Sequence, residues 1–200
     1  MNAMHLVMHG LAIKKHASPD DVAGILGLDC EEVRETLTKL VTAKRAVEVK
    51  GRYMLSPAAR MLLDADYSRF YEAERANPSF QSGYVGFERL NGTLKQLITD
   101  WQTIPVRGER VPNDHADKDY DSRIVDRLGD LHERVEPVIK QLASALPRMA
   151  IYGEKLAAAL EKAEGGAVAW VSDAKIESYH TVWFELHEDL LRLMRRERTE

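Results

Sequence analysis

The sequence predicts a mainly α-helical protein with one small β-hairpin near its start. Three observations carry that expectation. Apolar residues recur at helical spacing over most of the chain. Capping residues, prolines and glycines punctuate it into helix-sized pieces. One run, from Ala46 to Leu55, instead reads as strand, glycine turn and strand.

The elements follow in order. Residues 3–16 (AMHLVMHGLAIKKH) place Leu6, Val7, Leu11 and Ile13 on an opening helix, with Gly10 as its weak point. Ser18 is a favourable N-cap, Pro19 suits the first helical position, and Asp20 and Asp21 sit where the helix dipole favours negative charge. Val22, Ala23 and Leu26 give that helix an apolar stripe, and Gly27 can adopt the left-handed conformation that ends it. Asp29 with Glu32 reads as an Asp-x-x-Glu capping box, so a further helix starts at once, with Val33, Leu37, Leu40 and Val41 on its apolar face. Only a sharp corner fits between the two. Ala46-Val-Glu-Val, Lys50-Gly51-Arg52 and Tyr53-Met-Leu complete the order of a winged helix-turn-helix over residues 1–56.

Ser56-Pro57 opens a connecting helix over residues 57–78, which Asn77-Pro78 is expected to stop. Ser79–Gly83 reads as a hinge into a helical domain, residues 79–200. A long helix is expected from Tyr84 to Ile104, with Phe87, Leu90, Leu94, Leu97, Ile98 and Trp101 on its stripe. Val106–Asp121 shows no periodicity and reads as a long loop, the kind that is often functional. Asp119 is placed to cap a helix from Tyr120 to Leu146, which Pro137 should kink. A further helix runs from Arg148 to Glu164, and Asp173 is placed to cap a last one that ends in a basic turn. No strand is expected beyond the first hairpin.

The first third of the chain resembles the winged helix-turn-helix of bacterial MarR- and PadR-type regulators. Ala23, Gly27, Val33 and the run YMLSPAAR carry the resemblance, with Ala59 where the MarR-type exit Tyr-x-Leu-Thr-Pro-x-Gly-Arg has glycine. Further on, TDWQ (99–102), NDHAD (113–117) and YHTVWFELHEDLL (179–191) are similar to runs in a group of actinobacterial proteins labelled MarR-type regulators. The resemblance implies a transcription regulator that binds double-stranded DNA.

Composition narrows the other classes. With 44% hydrophobic and 30% charged residues, the 200-residue chain is expected to fold rather than stay disordered. No apolar run approaches the roughly 20 residues that span a bilayer, and the start lacks the basic and small-residue pattern of a signal peptide, so a cytoplasmic location is expected. Cys30 is the single cysteine, which rules out an internal disulfide or a cysteine-rich zinc site. The net charge is −4, yet residues 1–60 carry nine Lys and Arg against seven Asp and Glu. The positive end lies where the DNA-binding pattern lies.

On the second helix of the motif, Arg34 is the side chain able to read guanine, with Thr38 beside it. Lys39, Lys44, Arg45, Lys50 and Arg52 are placed to neutralise phosphates. Asp29, Glu31 and Glu35 oppose a single copy's approach, so a homodimer is expected. The competing reading is a winged helix that docks a partner protein or serves as an accessory subunit. On the last helix His180, Trp183, Phe184 and His187 share one face, with Tyr179 beside it. Together with Trp101 and His132 they form a candidate pocket for a small aromatic or apolar effector. His180 and His187 are roughly 10.5 Å apart along a helix axis, too far to share a metal directly. No glycine-rich phosphate loop follows a strand. Neither an enzyme nor a resident cofactor or metal is expected.

Overall fold

The computed structural model describes residues 3–197, and ten α-helices and two β-hairpins are found there. The first three helices are α1 (Ala3–Lys14), α2 (Pro19–Leu26) and α3 (Cys30–Thr42). A hairpin of β1 (Ala46–Val49) and β2 (Arg52–Leu55) follows. Then come α4 (Pro57–Phe70), α5 (Glu72–Ala76) and α6 (Pro78–Gln102). A second hairpin, β3 (Thr103–Val106) and β4 (Glu109–Pro112), precedes α7 (Lys118–Ala145). The remaining helices are α8 (Ala150–Glu164), α9 (Ala169–Ser172) and α10 (Tyr179–Met194).

The chain divides into two units: residues up to Asn77 together with those from Glu185 onward, and Pro78–Phe184. This differs from a division into 1–56, 57–78 and 79–200, because the second half of α10 groups with the N-terminal helices. Polar bonds inside the first unit account for it. Lys14 pairs with Glu185 at 2.8 Å, and His9 bonds Asp189 at 2.9 Å. Arg75 donates to the Leu193 carbonyl at 3.0 Å and to those of Tyr67 and Ser68.

In the first unit, Val7 and Leu11 of α1, Val22, Ile25 and Leu26 of α2, and Val33, Leu37 and Leu40 of α3 are buried together as core. Gly10 is a contact position rather than a weak point: a Cβ there would lie 2.9 Å from Leu26 Cδ1 and 3.1 Å from Val22 Cγ1. The capping box sits one helix earlier than expected. Ser18 Oγ accepts from the Asp21 amide at 3.1 Å, and the Ser18 amide donates to Asp21 Oδ2 at 2.9 Å. At α3 Asp29 supplies the acceptor half, to Glu31 and Glu32. β1 and β2 pair in register Ala46↔Leu55 through Val49↔Arg52, and Ala17 bridges to Tyr53 by two backbone bonds.

Several sequence expectations are corrected here. The stretch after Ile104 is a hairpin, not a loop, in register Thr103↔Pro112 through Val106↔Glu109. Its prolines do not break it, because both strands of a two-stranded ladder are edges. The two hairpins share one turn chemistry. Lys50–Gly51 and Arg107–Gly108 all adopt positive φ, at 54°, 76°, 52° and 90°, as a two-residue turn matched to strand twist requires.

Asn77-Pro78 does not simply stop a helix. Pro78 takes the first helical position of α6, so the expected hinge at Ser79–Gly83 is helical. Gly83 is buried against α7, where a Cβ would lie 2.9 Å from Leu142 Cγ. Asp117 rather than Asp119 caps α7, accepting from the Tyr120 amide at 2.9 Å, and the helix continues through Pro137. The connecting helix is broken at Tyr71 into α4 and α5. Asp173 caps only a turn, through the Lys175 amide, and the last helix begins at Tyr179. The expected α7 stripe of Ile124, Leu128, Leu131, Val135, Ile139 and Leu142 is buried throughout. No described helix is long and apolar enough to cross a membrane.

Candidate nucleic-acid interface and buried polar sites

The 3.6-residue period that buries Val33, Leu37 and Leu40 turns Arg34, Thr38 and Lys39 outward on α3. Lys44 and Arg45 follow at its exposed end, and the first hairpin presents Lys50 and Arg52. Three of these cations already have carboxylate neighbours. Arg34 lies 3.4 Å from both Asp20 and Glu31, Lys39 lies 3.7 Å from Glu35, and Arg52 lies 3.1 Å from Asp21. Arg52 also donates to the His16 carbonyl at 2.8 Å, and Arg45 reaches the Met4 sulfur. Exposed ion pairs of this kind are worth about 0–1 kcal/mol, so a phosphate could displace them. Thr38 Oγ1 is turned back onto the Arg34 carbonyl at 3.0 Å. Cys30 donates to Asp20 at 2.7 Å, and that hydrogen bond, with burial, holds its thiol above the usual range. This environment does not favour a reactive thiolate.

The expected effector residues are placed differently from one another. Trp183 is 1% exposed, stacks on Phe87 at 4.7 Å between centroids, and donates Nε1–H to Asn91 Oδ1 at 3.0 Å. Tyr179 is fully buried, 6.1 Å from Trp183 between centroids, with His132 Nδ1 3.3 Å from its hydroxyl. These rings occupy the space that the pocket was expected to leave. Burial pushes the His132 and His180 imidazoles below their usual range. Phe184 is 37% exposed, and His187 is buried in the other unit from Trp183. Six of the seven residues lie in the second unit and His187 in the first. Trp101 borders a cavity of about 420 Å³ with Asp121, Asp126 and Glu164, and His132 borders one of about 320 Å³ with Ile139 and Ala157.

Two polar networks escape a reading of the sequence. In the second unit, buried Asp121 accepts from Asn113 Nδ2 at 2.9 Å and lies 3.1 Å from His115 Nδ1. His115 rests on Trp101, 4.6 Å between centroids. In the first unit, buried His9 places Nδ1 2.6 Å from the Tyr67 hydroxyl and Nε2 2.9 Å from Asp189 Oδ1. An ionised Asp189 can only accept, so Nε2 carries a proton and the neutral ring's Nδ1 accepts from Tyr67. Burial pushes the Tyr67 hydroxyl far above the usual phenol range. In the sequence, His5 and His9 stand four residues apart, one helical turn, which is the local pattern that marks this network. Among the described residues no three His, Cys, Asp or Glu side chains converge as a metal site.

The carboxyls of Asp21 and Asp100 both lie in surroundings that favour the ionised form. Burial pushes the Asp21 carboxyl up, but bonds from Ser18 and the charges of Arg52 and Lys14 outweigh it, leaving it below the usual range. Asp100 is likewise pushed up by burial, then held below its usual range by Arg110, Gln96 and Arg127. Arg110 donates to it at 2.7 Å and Arg127 at 3.0 Å. Depressed carboxyls contribute stability that is complete above their unfolded-state value, about 3.9, and lost as pH falls through the folded-state value. Melting temperature should therefore drop below about pH 4, with a shallower drop in Asp100→Asn. Identical acid profiles would show that Asp100 contributes nothing to it.

Comparison with protein-family models, with curated proteins and with solved structures finds no match to this chain.

Proposed function

We propose that this protein is a DNA-binding transcription regulator of the winged helix-turn-helix type, acting as a homodimeric, ligand-responsive repressor. One observation carries the reading. Helices α1, α2 and α3 are followed directly by a tight hairpin, and positive charge is concentrated between the middle of α3 and the hairpin, the first turn of α3 being acidic. Residues 34–52 hold six Lys and Arg against two Glu, in a chain whose net charge is −4. The arrangement suits α3 entering a major groove while Lys50 and Arg52 hold the backbone. Met61 and Leu62, 75% and 51% exposed on α4, support pairing with a second copy. The cavities beside Trp101 and His132 offer room for an effector.

The test is binding to duplex DNA flanking the protein's own gene, measured by fluorescence anisotropy across salt concentrations. Arg34→Ala should cost about 1–3 kcal/mol per guanine contact. The Lys50→Ala/Arg52→Ala double variant removes up to four phosphate contacts per dimer, so its log–log salt slope should be shallower by about 3–4. Unchanged affinity and slope in both would sink the reading. A second reading, a module that docks a partner protein, is favoured by the acids of α3. Asp29, Glu31, Glu32 and Glu35 are exposed, with Glu31 beside Arg34 and Glu35 beside Lys39. Wild-type protein that shifts no duplex, but captures a basic protein surface, would favour it.

A further inference from the structure

We infer that the first unit holds a binding site for a small phosphorylated molecule, between α1, α4 and the end of α10. Two adjoining cavities of about 420 and 160 Å³ lie there, and both are bordered by Asp64 and Arg192. The larger is also bordered by Tyr67, Glu188, Arg195 and Arg196, together with Glu197. The smaller adds Lys15 and Arg60. Five cations therefore face three carboxylates in a protein whose overall charge is negative.

The cations differ in what they can still bind. Arg192 is held by Glu188 at 2.7 Å and Asp64 at 3.5 Å and stands beside the Tyr67 hydroxyl, yet its buried Nε meets no hydrogen-bond acceptor among the described residues. A buried donor left over on a guanidinium that is otherwise anchored points to an acceptor from outside the protein. Arg60, Arg195 and Arg196 are exposed and have no carboxylate within 4 Å among the described residues. Tyr67 forms part of the wall, its hydroxyl tethered by His9 and, through His9, by Asp189. Part of the site is thus rigid before any ligand arrives, which lowers the cost of ordering on binding. Several guanidinium groups around one cavity offer more donors than a single carboxylate accepts. A phosphate group, with three oxygens and planar Arg forks to meet them, suits that donor set. The volume is that of a small-molecule site.

The phosphate could belong to a free small molecule or to a DNA backbone, and the test separates the two. Full-length protein is titrated calorimetrically with pyrophosphate, as wild type, as Arg195→Ala/Arg196→Ala, and as Arg134→Ala, an exposed arginine of the second unit. Wild type and Arg134→Ala should give saturable one-site binding, and the double variant should lose about tenfold or more in affinity with an unchanged circular dichroism spectrum. Absence of saturable binding, or equal binding in all three, overturns the site. The same variants are assayed on duplex DNA. Retained DNA affinity in the double variant assigns the phosphate to a free ligand. Loss of DNA affinity without any pyrophosphate binding assigns these arginines to the duplex backbone and overturns the small-molecule site. Pyrophosphate binding by a protein that binds no DNA would keep this inference while the regulator reading fails.

Discussion

Replacing Asp189 with alanine should lower the stability of the first unit by about 3–5 kcal/mol, the largest effect expected of any single polar substitution here. Asp189 and His9 are both fully buried, and the carboxylate accepts from His9 Nε2 at 2.9 Å. Removing it takes away the bond that orients the ring, and with it the ring's hold on the Tyr67 hydroxyl 2.6 Å away. Asp189→Asn keeps an acceptor but not the charge, so it should cost less, about 1–3 kcal/mol. Replacing all three together, His9→Leu, Asp189→Leu and Tyr67→Phe, should recover much of the loss, because the carboxylate, the imidazole and the hydroxyl bonded to it at 2.6 Å are then removed as one set. Urea unfolding followed by circular dichroism reads all three. Equal stability of Asp189→Ala and wild type would mean that water or another side chain takes over the bond.

Trp183→Ala should cost about 3–5 kcal/mol, this time in the second unit. The indole is 1% exposed, stacked on Phe87, and its N–H satisfies the buried Asn91 carbonyl at 3.0 Å. Alanine leaves a cavity and an unsatisfied amide together. Trp183→Phe retains most of the packing and should lose about 1–3 kcal/mol, chiefly from Asn91. Trp183→Phe combined with Asn91→Leu should then be milder than Trp183→Phe alone. A Trp183→Ala protein as stable as wild type would contradict the packed indole and revive a pocket lined by Trp183. Denaturant midpoints decide between these outcomes.

The residues that the sequence made legible are those whose role depends on near neighbours in the chain. The stripe from Ile124 to Leu142, the face Val33–Leu37–Leu40, the Ser18 cap and the Lys50-Gly51 turn all declare themselves within one or two helical turns. Failures of the local reading have local causes too. Proline signals a stop and a start with the same residue, so Pro78 ended one helix and began the next. Gly10 and Gly83 resemble weak points in a one-dimensional pattern, but each is a place where a neighbouring helix comes too close for a Cβ. The second hairpin hid behind Pro105 and Pro112, which an isolated two-stranded ladder tolerates.

What the sequence alone determined is therefore the helical class, the first hairpin, and the outward placement of Arg34, Thr38, Lys39, Lys44, Lys50 and Arg52. Short-range periodicity and turn chemistry are sufficient for that. The tertiary structure decided the partners of buried polar groups: His9 with Tyr67 and Asp189, and Trp183 with Asn91. His9 lies 180 residues from Asp189 in the chain, and Trp183 lies 92 from Asn91. No local propensity encodes such pairs. They form because a polar group carried into the core by its helix must find a partner there, and only folding brings the partner within reach.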